Sequence, residues 1–539
     1  MTNRRRRWIG LVVISVAVAL IIVDSTIVNV AIPSIVDELD ITSTQVQWVQ
    51  ESYTLVFASL LLVFGTLADR FGRRRLLLIG VVVFAVASVL AALAPNGALL
   101  IAARIVQGVG GAIILPGTLS SLNATFTGRD RGVAFAVWGS TIGGMAAVGP
   151  LLGGWLTTDL SWRWAFGINV PFGIAIVAGL LLFVDESRDG SGRRVDVVGA
   201  VLSVLACGSL VFGLIEGRSY GWWLSDEPPA PWRLVLSPIP FCFALALVAA
   251  GGYVLWGLRR MRRGRSTLIA FSLLRIPSFA GGNIAALIVA LGEFGIILSL
   301  PLWLQNVLGY DALHTGLVLL ALAVGSFVAS GIAGSASGRL DAIVVVRIGI
   351  AAEIVGVGAT GLVIGTDTPW WAIVLCLFVY GLGVGLATAQ LTGVVLADVP
   401  VEQSGQGSGT QSTARQLGSA LGIAILGTVL FSSVGGVLAS RLADGLPATA
   451  AEQVVDAVVD SSGTAIPALQ ERSPEVWQAA REAFAEGTRY SALAAAGFLV
   501  LGLAATVPLR TRSSRTASSR TASSRSRPSR SRRPPSPDE

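Results

Sequence analysis

The chain has 539 residues, of which 53% are hydrophobic and 13% are charged, and its formal net charge is +7. Soluble domains carry about 25% charged residues, so this composition indicates an integral membrane protein. Every basic residue is an arginine and there is one histidine, His314, which excludes a GxxxxGK[ST] phosphate loop, a lysine Schiff base and a two-histidine zinc site; we therefore expect no enzyme, no cofactor and no metal.

Fourteen stretches are long and apolar enough to cross a bilayer, which takes about 20 mostly apolar residues. They are predicted near residues 9–32, 46–68, 76–94, 98–122, 133–156, 166–184, 197–216, 234–257, 278–304, 314–336, 347–365, 370–395, 412–433 and 490–509. With the N-terminus inside, the arginine clusters at Arg4–Arg7, Arg70–Arg75 and Arg259–Arg265 all fall on the cytoplasmic side, as membrane proteins prefer. We therefore expect a multi-pass protein of the bacterial inner (plasma) membrane with both termini in the cytoplasm.

The first predicted helix contains an aspartate within LIIVDSTIVNVAIP, Leu20–Pro33. Counting from Ile9 at about 1.5 Å per residue, Asp24 lies roughly 22 Å across an apolar core of about 30 Å. The fourth helix contains Arg104, which lies roughly 9 Å from the outer face on the same arithmetic. A charge inside a span is costly and is normally paired or faces a water-filled cavity, although an arginine can also snorkel to the interface. The two charges are thus predicted at about the same depth.

Four motifs follow one another along the first half of the chain. They are GTLADRFGRRR at Gly65–Arg75, RIVQGVGG at Arg104–Gly111, GPLLGGWL at Gly149–Leu156 and SWRWAFGINVP at Ser161–Pro171. Taken singly, each has an ordinary explanation: a basic loop that sets topology, a snorkelling arginine, close helix packing through glycine, and an aromatic belt.

As a set, these motifs resemble the major facilitator superfamily. So do DSTIVNVAIP in the first helix, LWLQNVLGYDAL after the ninth and RQLGSALGIAILGTV in the thirteenth, and together they are similar to its fourteen-helix drug/proton antiporter branch. The resemblance implies an all-α integral membrane fold in which two six-helix bundles flank a central cavity and two further helices link them. On this plan residues 1–188 form the N-terminal bundle, 189–265 the linking helices and 266–510 the C-terminal bundle. Residues 511–539 lie outside the resemblance, and their low complexity and like charge predict a disordered tail rich in Arg and Ser.

The resemblance also implies site residues. The 65–75 loop is expected to latch a gate, Arg104 and Gln107 to take part in proton coupling, and the 149–154 stretch to let its helix flex. The residues concerned are Gly65, Asp69, Arg70, Gly72 and Arg73 in the loop, and Gly149, Pro150, Gly153 and Gly154 in the antiporter motif. Met145 stands where that motif has a further glycine, so the match is partial.

Glu293, in the ninth predicted helix, is a second buried acid. It lies fifteen residues beyond Ser278, again roughly 22 Å across the core, and the family plan makes this helix the counterpart of the first. Because that plan places helices one and four at the cavity, we hypothesise that Asp24 contacts Arg104 and that Asp24 and Glu293 face one cavity. Such carboxylates can bind a proton or a cation, since burial favours the neutral form and a neighbouring cation the ionised one. Glu51 and Glu353 are weaker candidates, and Glu216 is expected to be exposed.

The function expected from these features is proton-coupled efflux of lipophilic drugs or metabolites, cationic ones among them, by alternating access. The partners would be small lipophilic substrates, protons and membrane lipids, with no nucleic acid, and the chain would work as a monomer. The outer segment 434–489 is expected to form a small exposed helical cap. The alternatives are an uptake symporter on the same fold and a non-transporting membrane scaffold or sensor.

Overall fold

A computed structural model describes residues 3–188, 196–217, 219–224, 236–336, 340–443 and 445–509. Within these ranges the regular structure is helical, apart from isolated bridge residues such as the pair Leu224 and Leu236. The predicted disordered tail, 511–539, lies outside the described residues.

Nine helices precede the second half of the chain. They are α1 (Asn3–Leu39), α2 (Ser43–Phe71), α3 (Arg73–Ala92), α4 (Gly97–Thr125), α5 (Gly128–Asp159), α6 (Arg163–Gly167), α7 (Asn169–Phe183), α8 (Val197–Glu216) and α9 (Ile239–Arg262). The second half contains α10 (Pro277–Asn306), α11 (Ala312–Ala336), α12 (Ala342–Val363), α13 (Trp370–Val395), α14 (Ser404–Leu442), α15 (Ala448–Asp460), α16 (Ile466–Arg472) and α17 (Pro474–Ala505).

Thirteen segments in the described part of the chain are long and apolar enough to cross a membrane. One of them, Arg163–Phe183, is built from α6 and α7 together. A further helix, α5, has 32 residues and occupies the place of the predicted fifth span. The predicted all-helical membrane fold is therefore confirmed, while the exact number of fourteen spans stays a prediction.

The helices assemble in two groups. In the first, α1 packs against α5 and α7, and α4 lies against both α2 and α3. In the second, α10 packs against α14 and α17, and α12 against α13. The helices α8 and α9 pair with each other, and α8 also lies along α2 and α14. This arrangement puts a linking pair beside the seam between the two groups.

The two groups meet along α2 and α14 and along α5, α11 and α13. At the first of these seams glycines face each other, because a Cβ on Gly65 would lie 2.5 Å from the carbonyl oxygen of Gly405 and 2.7 Å from Cα of Gly409. Small residues let membrane helices approach this closely. Gly65 therefore allows α2 and α14 to pack closely, a role that its position in the loop motif did not predict.

The thirteenth span begins earlier than predicted. We predicted 412–433, whereas α14 begins at Ser404 and ends at Leu442. Its first turns, SGQGSGTQ, are small and polar, so hydropathy does not detect them. They are nevertheless buried, since small residues are what a tight helix contact requires.

The outer segment is packed rather than exposed. The stretch PEVWQAAREAFAEG, predicted as a separate helix, is the outer part of α17, which runs without a break from Pro474 to Ala505. Between α14 and α17, the short helices α15 and α16 bury Val458 and Ile466 completely. The apolar side chains of the segment thus extend the core of the second group at one end of its helices.

Candidate functional site

An ion pair is buried in the first group of helices, between α1 and α4. Arg104 Nη1 donates to Asp24 Oδ2 at 2.6 Å, and the two residues are 2% and 0% exposed. The other carboxylate oxygen of Asp24, Oδ1, accepts hydrogen bonds from Gln107 Nε2 and Asn169 Nδ2, both at 2.7 Å. The hypothesised contact between Asp24 and Arg104 is therefore present, and three donors surround the carboxylate.

The side chain of Arg104 has further partners besides Asp24. Gln107 lies one turn along α4 from Arg104, on the same helix face, and its Oε1 accepts from Arg104 Nη1 at 2.7 Å. Arg104 Nε donates to the carbonyl oxygen of Val49 at 3.1 Å, and its guanidinium lies 4.2 Å from the ring centroid of Tyr53. Gln107 Nε2 also donates to Ser88 Oγ at 2.9 Å. A buried pair is stable only when its remaining polar atoms are satisfied in this way.

A second ion pair lies in the other group, between α10 and α14. Arg415 Nη2 donates to Glu293 Oε2 at 3.1 Å, and Thr388 Oγ1 donates to Glu293 Oε1 at 2.9 Å. A cavity of about 10 Å³ lies against these side chains, which is about the space one water needs. The side chain of Arg415 is 20% exposed, against 2% for Arg104. This second pair is therefore the more accessible of the two.

Sequence reasoning missed two members of these clusters. Arg415 lies within the predicted thirteenth span, three residues from its start, but it was not singled out as a buried charge; in α14 it lies eleven residues from Ser404, roughly 16 Å along the helix. Its signal, a lone arginine in a span, is the one that identified Arg104. Asn169 belongs to SWRWAFGINVP, which was interpreted only as an interface motif.

Asp24 and Glu293 do not share one cluster. Each lies in its own group of helices and is paired with its own arginine, and no hydrogen bond described for either acid connects them. The prediction that both face a single cavity was based on depth and on the family plan, and it stays a prediction. Depth cannot say toward which neighbour a side chain turns, and here each acid turns toward a cation in its own group.

The three other candidate acids, Glu51, Glu216 and Glu353, are buried or partly buried. Glu353 is 0% exposed, and neither carboxyl oxygen has a hydrogen-bond partner in the described part of the chain. Gln47 Nε2 lies 3.1 Å from Glu51 Oε1 and 3.3 Å from Glu216 Oε2. Glu216 is 2% exposed, so the expectation of an exposed residue was wrong: α8 lies along α2 and covers this helix end.

The predicted gating loop joins the two groups at their arginine-rich end. Asp69 is 3% exposed, and its carboxylate accepts from the backbone N–H groups of Gly405 at 2.7 Å and Gln406 at 3.0 Å. These are N–H groups of the first turn of α14, which have no partner within the helix. The partial positive charge of a helix N-terminus also favours a carboxylate there. Asp69 thus caps a helix of the opposite group.

The arginine that follows extends this contact. Arg73 donates to Asp69 Oδ1 through Nη2 at 2.7 Å and through Nε at 3.1 Å, and Nη2 also donates to the carbonyl oxygen of Val401. Gly72 has φ +105°, a conformation that favours glycine. Arg70, by contrast, is exposed. Of the predicted loop residues, Asp69 and Arg73 make the hydrogen bonds between the groups, and Gly65 packs against α14.

The antiporter motif lies against α1, next to Asp24. A Cβ on Gly149 would overlap Thr26 Oγ1, and one on Gly153 would lie 3.0 Å from Ile27 Cγ1. A Cβ on Gly154 would meet nothing within 4 Å. The side chain of Pro150 is outside the description. Two of the glycines therefore serve close packing between α5 and α1; the predicted flexibility of the helix stays a prediction.

The SWRWAFGINVP motif ties the end of α1 to α6. Trp162 Nε1 donates to Glu38 Oε2 at 2.7 Å, and Arg163 Nη2 donates to Glu38 Oε1 at 2.8 Å. The hydrogen bond from Arg163 is the main cause that lowers the pKa of Glu38 below its usual value. Trp164 is 51% exposed, as an interface residue should be, whereas Trp162 is 1% exposed and belongs to the core.

This combination of features defines a class of protein: a helical membrane transporter with two groups of helices and a buried ion pair in each. Solved transporter structures have the same fold. The human organic anion transporter MFSD10 matches with a TM-score of 0.60 at 14% identity, over 94% of this chain and 100% of that one. The proton:xylose symporter XylE matches with a TM-score of 0.56 at 13% identity, over 86% and 96%. Similarity at this level establishes the fold alone.

The chain belongs to the major facilitator superfamily, whose family model matches residues 14–423. It is 36% identical to the probable actinorhodin transporter of Streptomyces coelicolor, over 82% of this chain and 75% of that protein. It is 34% identical to the puromycin resistance protein pur8 of Streptomyces alboniger, over 81% and 84%. It is 32% identical to the multidrug efflux pump LfrA of Mycolicibacterium smegmatis, over 94% and 97%. The protein is thus a multi-pass membrane transporter and not an enzyme.

Proposed function

We propose that this transporter exports lipophilic compounds, cationic ones among them, across the bacterial plasma membrane in exchange for protons. The observation that carries the proposal is the pair of buried carboxylate–arginine contacts, Asp24–Arg104 and Glu293–Arg415. Charged groups inside a membrane protein mark ion and proton pathways, because their burial is too costly to serve packing alone. The relatives named for drug efflux and antibiotic resistance support the direction of transport.

The coupling residues would be Asp24, Arg104, Gln107 and Glu293. A proton or a lipophilic cation that reaches a paired carboxylate competes with its arginine, so binding weakens the ion pair. The helices that carry the pair then lose a contact holding them in one arrangement. In alternating access, this loss is what would allow the two groups of helices to rock against each other.

The gate would lie at the arginine-rich end, which we place in the cytoplasm together with both termini. The contacts of Asp69 and Arg73 with the start of α14 join the groups there. Release of these contacts would open the inner side of the transporter to substrate. The gate would close again when the Asp69 carboxylate returns to the partial positive charge at the N-terminus of α14.

The test is transport in proteoliposomes with an imposed pH gradient and ethidium as the probe. We expect ethidium to move against the proton flux, and Asp24→Asn and Glu293→Gln to reduce this movement to the level of empty liposomes. Glu452→Gln, at an exposed position of α15, is the matched control and should transport normally. Movement of ethidium together with protons would indicate the uptake symporter instead. No gradient-dependent movement of any compound in a panel of cationic and neutral dyes would contradict transport of this class.

A further inference from the structure

The two buried charge clusters differ in their numbers of acids and bases. The first contains one acid, Asp24, and one base, Arg104, in direct contact. The second contains Glu293 and Arg415 in contact, and a further acid, Glu353, whose electrostatic neighbours are these same two residues. The second cluster therefore holds two acids for one base, which leaves one carboxyl without a counter-charge.

The unpaired carboxyl is Glu353. It lies in the middle of α12, is 0% exposed, and both of its oxygens are buried with no partner among the described residues. A buried ionised carboxylate without a cation or a donor costs many kcal/mol, so such a group takes up a proton instead. Asp24 differs from Glu353, because its carboxyl oxygens accept hydrogen bonds from three donors.

The neighbouring helix makes room for this acid. A Cβ on Gly383 of α13 would lie 2.6 Å from Glu353 Cγ and 2.5 Å from its backbone nitrogen. The side chain of Glu353 therefore lies in a notch that exists only because residue 383 is glycine. On the same helix Tyr380 is 1% exposed and donates through its hydroxyl to the carbonyl oxygen of Glu293 at 3.2 Å. Thus α13 contacts both acids.

The groups that face Glu353 are few. The charged ones are Glu293 on α10 and Arg415 on α14, and Tyr380 is the titratable group on α13. The helix α17, which also packs against α12, contributes apolar contacts such as those of Ala492 and Leu493 with Gly361. Among the described residues, the charged groups that act on Glu353 are therefore those of the Glu293–Arg415 pair.

We propose that Glu353 is the proton-binding residue of this transporter: it carries the proton while Glu293 is paired with Arg415, and it passes that proton to Glu293 when the pair opens. The ligand of the site is a single proton, and the transfer balances, because Glu353 becomes the carboxylate paired with Arg415 as Glu293 becomes neutral. This transfer takes place within the second cluster and does not involve the Asp24–Arg104 pair. The assignment deepens the proposed antiport, although the protonation of Glu353 itself does not depend on it.

The test is the infrared carbonyl band of protonated carboxylic acids, recorded on the purified full-length transporter in lipid nanodiscs without substrate. We expect a band in the wild-type protein at neutral pH with a component that Glu353→Gln removes and Asp24→Asn leaves unchanged; the buried acids Glu51 and Glu216 account for the remainder. Glu293→Gln should also remove that component, because Arg415 is then free to pair with Glu353. Glu452→Gln is the control for an exposed acid and should change nothing.

A further variant, Arg415→Leu, distinguishes the proposal from misfolding. Without its cation Glu293 also takes up a proton, so the band should grow, whereas an unfolded protein exposes its acids to water and loses the band. A band of wild-type strength in Glu353→Gln would overturn the proposal. This result can be distinguished from that of the transport assay. A protein that shows the Glu353 band but whose transport does not respond to a pH gradient would have the proton site without being an antiporter.

Discussion

The two buried carboxylates of this transporter are held to different degrees. Asp24 accepts from Arg104, Gln107 and Asn169, and its arginine is almost inaccessible. Glu293 accepts from Arg415 and Thr388, beside a cavity the size of one water. The first cluster is therefore suited to hold helices together, and the second to change its protonation or its partner.

Removal of Arg104 should destabilise the protein strongly. Arg104→Leu leaves Asp24 buried without its cation, and loss of one partner of a buried pair typically costs about 3–5 kcal/mol. We expect a clear fall in the melting temperature of the purified transporter. The double variant Asp24→Asn with Arg104→Leu has no unpaired charge and should recover part of the loss; an Arg104→Leu protein that melts like the wild type would contradict the argument.

Sequence reasoning found some members of the clusters and missed others for a physical reason. Asp24 and Arg104 are conspicuous because a charge in an apolar run is costly wherever its side chain points. Asn169 and Ser88 are not conspicuous, since polar uncharged residues occur in many spans and only the contact with Asp24 or Gln107 gives them a role. The charge rule applies to Arg415 as well, but three residues from the start of the predicted span an arginine resembles one at the membrane surface, whereas α14 begins eight residues earlier than predicted.

At the scale of helices, close packing through glycine sets the geometry around Asp24. Gly149 and Gly153 bring α5 against α1 at Thr26 and Ile27, within a turn of the acid. The sequence motif identified these glycines but not the helix that they contact. A helix interface of small residues gives no hydropathy signal, because such residues let the helices approach closely without adding much apolar area.

Two glycines of one motif should respond differently to the same substitution. Gly149→Ala places a methyl group into Thr26 Oγ1, and overpacking of this kind costs about 1–3 kcal/mol. Gly154→Ala meets nothing within 4 Å and should leave the protein unaffected. We expect a lower melting temperature and reduced ethidium transport for Gly149→Ala only. Equal behaviour of the two variants would show that the motif acts through flexibility and not through contact with α1.

At the scale of the whole molecule, the contacts between the two groups of helices decide which side is closed. At the arginine-rich end, Asp69 caps α14, and Asn123 Nδ2 donates to Ser404 Oγ at 2.9 Å. On the same side, Gln390 Nε2 donates to the carbonyl oxygen of Gly132 at 3.2 Å. These hydrogen bonds join the two groups on the arginine-rich side and therefore oppose their separation there.

Loss of the Asp69 charge should loosen that closure. Asp69→Asn weakens two hydrogen bonds to the first turn of α14 by about 1–2 kcal/mol in all, which corresponds to a change of roughly 5–30-fold in the population of the open form. The measurement is the alkylation rate of a cysteine at Ser408, a fully buried position of α14, with the three native cysteines replaced by serine. We expect faster alkylation in Asp69→Asn. Arg70→Gln, at an exposed position of the same loop, is the control, and faster alkylation in this control as well would argue against a specific role for Asp69.

The sequence by itself determined that this is a helical membrane protein, where most of its spans lie, and that Asp24, Arg104 and Glu293 are buried in them. These properties follow from local composition, because a bilayer accepts only apolar helices and makes every internal charge costly. Only the tertiary structure decided that Asp24 and Glu293 are paired separately, that Asp69 caps α14 and that Glu353 has no counter-charge. Pairing depends on which side chains meet across helices far apart in the chain, and neither hydropathy nor depth along a single helix contains that information.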